Sequence, residues 1–341
     1  MTGSAAYTHE GEVKRNASID LVRFLMALLI VAMHCNFLAD VNVQLSYLIS
    51  IVTARLAVPF FAVVSGYFFF HITSPASYQH ILFRYIRPYL LWEFIYMLYR
   101  NAFGKIGGGR EILEEIFLHG FWHLWYMLAI IYTVAILIVV RRWKESFRII
   151  YYSSFAFLLL GIMMYEYGKI AYSLPIIKLT LGRLNPNNNI ENQWLTIVVP
   201  FFMMGYHLNH SGYRDMLLYK KCEYLLPAAF VIYVCEVILI KILNLDRSPV
   251  IVMMTYPLVY LIFIFCLKHP DGCSIRIAKY FAEIASIMYF SHILFVLIFQ
   301  NVGLSETLVF VLTVASCIVL SVLMGVIRHS LTSKRKKILQ V

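Results

Sequence analysis

Three ionisable residues that hydrocarbon would not tolerate cheaply share the first apolar run: Asp20, Arg23 and His34. Each such group costs roughly 2.5–3.5 kcal/mol at the centre of a membrane helix, so its presence points to a lined cavity or a reaction. On a helix, Arg23 and His34 fall within about 20° of one face and are separated by about 16 Å of rise. Asp20 precedes Arg23 by three residues, the spacing of an ion pair on one helix face. A guanidinium suits a phosphate or carboxylate. An imidazole suits proton removal near neutral pH. A lone histidine in a membrane also serves simply to hydrogen-bond a neighbouring helix, but the aligned Asp20 and Arg23 favour a polar seam running inward from one membrane surface.

Further groups recur downstream. Val58-Pro59-Phe60-Phe61 leads to Ser65-Gly66-Tyr67, where Pro59 releases a backbone carbonyl and Ser65-Gly66 permits close approach of another helix. Ordinary helix packing explains that stretch as well. Arg84 and Arg87, three residues apart before Pro88, share a face and can hold a phosphate; they also read as topogenic charge. Trp122-His123-Leu124-Trp125-Tyr126 has the aromatic content of a membrane interface, with His123 as the additional feature. Glu93, Glu166, Glu236 and His292 are polar groups inside other apolar stretches, and Glu236 and His292 are candidates to line a cavity with Tyr126 and His123.

The elements that must position these residues are membrane helices. Of 341 residues, 61% are hydrophobic and 14% charged, against about 25% charged in a soluble domain. The expected fold is an all-α polytopic bundle of about ten transmembrane helices. The runs are Ile19–Leu38, Leu45–Phe70, Pro88–Phe103, Trp122–Val140, Ile149–Tyr165, Trp194–Leu208, Tyr224–Leu243, Val250–Leu267, Phe281–Gln300 and Leu304–Ile327. They form a single domain over 1–341, with a polar N-terminus at 1–17 and a basic tail at 329–341. With an even count the termini share a side. That side carries most of the 29 Lys and Arg residues, which places both termini in the cytoplasm of a cell-membrane protein. The first run is expected to be retained and not cleaved, since no small-residue site follows it.

The net charge of +11 belongs to short loops between apolar runs, not to an amphipathic or aromatic-interleaved surface, so no nucleic-acid partner is expected. The six cysteines form no CxxC pair and the histidines show no ligand spacing, so no metal is expected. Two longer outer loops, Gly104–Phe121 with Glu111, Glu114 and Glu115, and Lys169–Gln193 with Asn185-Pro186-Asn187-Asn188-Asn189, are the natural places for an external polar substrate.

The chain resembles the acyltransferase-3 family of integral membrane acyltransferases. The resemblance rests on Ile19-Asp20-Leu21-Val22-Arg23 running to His34, then Val58-Pro59-Phe60-Phe61 with Ser65-Gly66-Tyr67, Arg84-x-x-Arg87 before proline, and His123-Leu124-Trp125-Tyr126. It continues loosely to Ser286-Ile287-Met288-Tyr289 and His292. Within the family, the chain is most similar to the membrane domain of vancomycin-resistance serine racemases. An appended racemase or hydrolase-like domain is not expected beyond Val341. The resemblance implies transfer of an acyl group, usually acetyl, from cytoplasmic acyl-CoA to a hydroxyl on an extracytoplasmic glycan or similar acceptor. His34 would be the base or a covalent acyl carrier. Arg23, Arg84 and Arg87 would hold the CoA phosphates, Asp20 would fix Arg23, and Ser65 would help line the donor site. Acyl-CoA would act as donor substrate and not as a bound cofactor. The alternative is amino-acid (serine) transport or binding.

Overall fold

The computed structural model describes residues 5–7, 13–50, 54–103, 108–141, 143, 145–171, 193–211, 217–245 and 251–338. The segment Asn185–Asn189 and several of the loop cations used for orientation, among them Arg142, Lys144, Lys178, Arg183, Arg214 and Arg247, lie outside the described residues. Among the described residues the chain is helical apart from two three-residue strands. It divides into two compact units, 1–54 with 271–341, and 55–270.

In the first unit, β1 (Ala5–Tyr7) pairs antiparallel with β2 (Val13–Arg15), Tyr7 opposite Val13. Helix α1 (Ala17–His34) begins at Asn16, whose side chain accepts the Ile19 N–H at 3.0 Å. This supplies one of the donors a helix start leaves unpaired. The expected span Ile19–Leu38 ends earlier than its apolar pattern, at His34. Asn36 takes φ 51°, and the Phe37 N–H closes on the Ala32 carbonyl at 2.9 Å. This is the left-handed stop that asparagine tolerates better than most residues. His34 therefore occupies the last turn of the helix and not its interior.

The expected span Leu45–Phe70 is likewise broken. A short α2 (Val43–Leu48) is capped by Asn42, and a 3₁₀ turn at Ala54–Leu56 leads into α3 (Ala57–Phe69) of the second unit. The first unit is completed by two long helices, Ile275–Asn301 and Glu306–Ile338. The first of these packs on α1, and its Ala278, Ala282 and Ala285 are all buried, small side chains of the kind that let helix backbones approach. Phe24 stacks on Phe281 at 4.7 Å, and Phe37 meets Phe310 at 4.3 Å. Val311, Val319, Val322, Leu323 and Val326 stay exposed on the last helix, as they should where lipid is the solvent.

The second unit holds α3, α4 (Pro75–Ala102), α5 (Gly109–Glu114), α6 (Trp125–Val140), α7 (Ser146–Tyr165), α8 (Gly168–Ala171), α9 (Val199–Ser211), α10 (Leu217–Ile242) and α11 (Thr255–Lys268). The two helices of the first unit then become α12 (Ile275–Asn301) and α13 (Glu306–Ile338). The α3–α9 contact is the tightest in this unit. A Cβ built on Gly66 would lie 1.8 Å from the Phe202 carbonyl oxygen, and one on Gly205 would lie 2.0 Å from that of Val63. The close approach expected at Ser65-Gly66 is therefore present, and Gly205 is its counterpart.

Pro88 does not begin a helix as the sequence suggests. It lies inside the continuous 28-residue α4, so Arg84 and Arg87 project from mid-helix and not from a preceding loop. Among the described residues, six helices are long and apolar enough to cross a membrane: Ala17–His34, Trp122–Val140, Ser146–Tyr165, Leu217–Ile242, Ile275–Asn301 and Glu306–Arg328. Two shorter apolar ones are Ala57–Phe69 and Thr255–Lys268. The chain is a multi-pass helical membrane protein.

Candidate active site

The polar stripe of α1 is built as its spacing requires, with an additional partner at each end. Asp20, fully buried in the first turn, accepts from Arg23 Nη1 at 3.3 Å and from Arg15 Nε at 2.5 Å. Arg15 Nη2 also donates to the Ala278 carbonyl at 3.3 Å, tying the strand just before α1 to α12. A carboxylate at a helix N-terminus is favoured by the helix dipole, and two guanidiniums around it leave one net positive charge. Arg15 is not legible in the sequence as a member of this cluster. It precedes the helix, so no helical periodicity relates it to Asp20.

The far end of the stripe holds a second histidine. His34, half-buried, meets the fully buried His292 of α12 with ring centroids 5.2 Å apart and planes at 44°. His292 Nδ1 donates to the carbonyls of Met288 at 2.8 Å and Tyr289 at 3.0 Å. The sequence marks His292 only as a lining residue. The Tyr289-x-x-His292 pattern is the one signal in it that this helix matters.

The remaining candidates lie in the second unit. Arg84 is half-buried, and Arg87 is exposed with its guanidinium 5.3 Å from the Phe83 ring centroid. Ser65 Oγ donates back to the Phe61 carbonyl at 2.9 Å, an intrahelical use of the hydroxyl. Gly120, at φ 68°, turns the chain so that the Phe121 N–H reaches the buried carboxylate of Glu93 at 2.7 Å. His123 then tucks edge-on against Tyr96 at 5.6 Å, and Tyr126 lies 6.4 Å from Phe61. Glu93 also lines a small pocket with Met97, Arg100, Glu111 and Glu115, where Arg100 pairs with Glu115.

Glu236 has a structural task. It accepts from the N–H groups of Met253 at 2.9 Å and Met254 at 2.8 Å, and from Tyr167 Oη at 3.0 Å, at the start of α11. Glu166 does the same for Ile251 at 2.6 Å while pairing with Arg55 at 3.4 Å. These two carboxylates thus satisfy backbone donors ahead of a helix that has no side-chain cap of its own. Among the described residues no group of three or more His, Cys, Asp or Glu could hold a metal ion.

A helical membrane protein with a buried carboxylate–guanidinium cluster and an imidazole on one helix has the makings of a group-transfer enzyme. The chain belongs to the acyltransferase-3 family, whose acyltransferase domain it matches over residues 16–326. It is similar to a serine/alanine racemase of Enterococcus gallinarum, 29% identical over 159 residues, covering 43% of this chain and 23% of that protein. It is also similar to an amino-acid racemase of Enterococcus faecalis, 25% identical over 217 residues, covering 61% of this chain and 30% of that protein. The chain therefore spans less than a third of either relative. No solved structure matches.

Proposed function

We propose that this protein is a membrane O-acyltransferase that moves an acyl group, acetyl by preference, from cytoplasmic acyl-CoA to a hydroxyl of an extracytoplasmic glycan or similar cell-envelope acceptor. The observation that carries the reading is α1 itself, which holds Asp20, Arg23 and His34 on one helix within the matched family domain. His34 takes the proton of the acceptor hydroxyl as its oxygen attacks the thioester carbonyl, the C–S bond breaks, and the departing CoA thiolate receives that proton; alternatively a His34 nitrogen attacks first, expelling CoA, and passes the acyl group on to the hydroxyl. Arg23 and the pair Arg84 and Arg87 hold the phosphates of CoA, Asp20 fixes Arg23, and Ser65 has a helper role at the donor. The segment carrying Glu111 and Glu115, with His123 and Tyr126 nearby in sequence, serves the acceptor. About ten spans with both termini cytoplasmic, in the cell membrane, complete the picture; the loop charges support it.

The test is to incubate purified wild type and His34→Ala with acetyl-CoA bearing a labelled acetyl group, following release of free thiol and label on protein or added glycan. Turnover by wild type and none by the folded variant supports the reading. A wild type that neither binds nor consumes acetyl-CoA or another acyl-CoA overturns it.

A second reading is serine transport or binding, prompted by the similarity to a serine/alanine racemase of Enterococcus gallinarum. Uptake of labelled serine into proteoliposomes, with no hydrolysis or transfer of acyl-CoA, would establish it instead.

A further inference from the structure

His34 and His292 are held very differently. His34 is half-buried in the final turn of α1, and among the described residues no hydrogen bond fixes its ring. His292 is fully buried, and its Nδ1 faces two backbone carbonyls at 2.8 and 3.0 Å. A carbonyl oxygen only accepts, so Nδ1 carries the hydrogen and Nε2 is the acceptor edge of the neutral ring. One edge of the ring is thus locked by the backbone of its own helix. The buried Ala285, Met288 and Val296 around it leave the helix face without slack. The dipole of His292 therefore has a single direction before any ligand arrives. The less constrained His34 ring lies 5.2 Å from it.

We propose that His292 is a positioning residue for His34: the fixed dipole of its locked imidazole orients the His34 ring beside it, so that one chosen nitrogen of His34 faces the reacting hydroxyl. Resting on the acyl-transfer reading in which His34 is the base or carrier, this gives His292 a task other than touching substrate. A general base works only if its lone pair, not its N–H, faces the proton it removes. For His34 that choice follows from the orientation of the ring, and the neighbour that bears on it here is the His292 imidazole. Titratable side chains beside the pair include Cys35, which follows His34 at the end of α1, Tyr289 on α12, and Cys317 on α13, which neighbours Cys35. Cys317 lies 3.4 Å from Ser291 Oγ.

The test uses the full-length protein, ring-¹⁵N-labelled at histidine, in detergent micelles or nanodiscs, as wild type, His292→Asn and His292→Phe. Asparagine keeps a donor where Nδ1 stands, and phenylalanine keeps the ring and its packing. The wild-type spectrum is expected to show His292 as the Nδ1–H tautomer, with a cross-relaxation contact to His34. Both variants are expected to shift the His34 ring nitrogens. In acetyl-CoA turnover they should lower kcat at least tenfold with KM for acetyl-CoA unchanged. A wild-type His292 protonated at Nε2 instead overturns the proposal. So does a phenylalanine variant that keeps both the wild-type His34 signals and kcat, because packing alone would then suffice. If wild type shows no turnover, the acyl-transfer reading fails, while the nitrogen spectra still decide whether His292 orders His34. If neither variant folds, the wild-type tautomer and contact decide it.

Discussion

The carboxylate of Asp20 accepts the Nε of Arg15 at 2.5 Å while fully shielded from solvent, so a residue that precedes α1 is anchored by one within its first turn. The same carboxylate reaches Arg23 at 3.3 Å, which makes it the shared counter-charge of two guanidiniums. Removing it leaves both cations uncompensated. Breaking a buried pair in this one-sided way costs about 3–5 kcal/mol. Asp20→Ala is expected to lower Tm markedly and to abolish turnover. Asp20→Asn, which keeps the shape, is expected to lose activity with a smaller fall in Tm. Thermal unfolding of both variants in detergent measures this, and an Asp20→Ala protein as stable as wild type would contradict it.

Gly66 has no room for a methyl group. The Phe202 carbonyl oxygen would sit 1.8 Å from a Cβ there, and that atom belongs to a helix backbone that cannot step aside alone. Overpacking of this kind costs about 1–3 kcal/mol or more. Gly66→Ala and Gly205→Ala are each expected to lower Tm, and the double variant should lose less than the sum, because one separation of α3 from α9 relieves both. Scanning fluorimetry of the three variants gives the comparison.

Substitutions at Arg84 and Arg87 would test donor binding apart from folding. Arg87 is exposed and Arg84 half-buried, so replacing both with glutamine is expected to shift Tm little. If they hold the phosphates of CoA, KM for acetyl-CoA should rise at least tenfold, and less so for an acyl-pantetheine that lacks the nucleotide phosphates. Equal losses with both donors would count against a phosphate role.

Asp40 supplies a pH test outside the membrane helices. It accepts the hydroxyl and the N–H of Thr307 at the start of α13, and these bonds hold its carboxyl below the usual range. A carboxyl lowered on folding contributes stability that is fully present above its unfolded value near 3.8. That contribution is lost as pH falls through the lower folded value. Thr307→Val removes the hydroxyl donor at constant shape. The Tm difference between wild type and Thr307→Val is therefore expected at pH 7 and should shrink as pH falls below about 4.

The class of protein and one face of one helix are decided in the sequence alone. Hydrocarbon excludes charge so strongly that composition announces membrane helices, and helical periodicity places Asp20, Arg23 and His34 in line. Gly66 is readable for a related reason, since only a missing side chain lets two backbones meet. What periodicity cannot carry is the end of a helix or a contact between helices. The stop at His34 depends on Asn36 adopting φ 51°, a local conformation invisible in a hydropathy run. Proline usually breaks helices, which makes Pro88 read as a helix start, yet packing keeps α4 continuous through it. Glu236 reads as a cavity residue because a carboxylate in an apolar stretch needs a partner. Only the tertiary structure shows that its partners include the Tyr167 hydroxyl and backbone N–H groups 17 and 18 residues further along the chain. The meeting of His34 with His292 is decided the same way. The two are far apart in the chain, and only the packing of α1 on α12 brings one imidazole against the other.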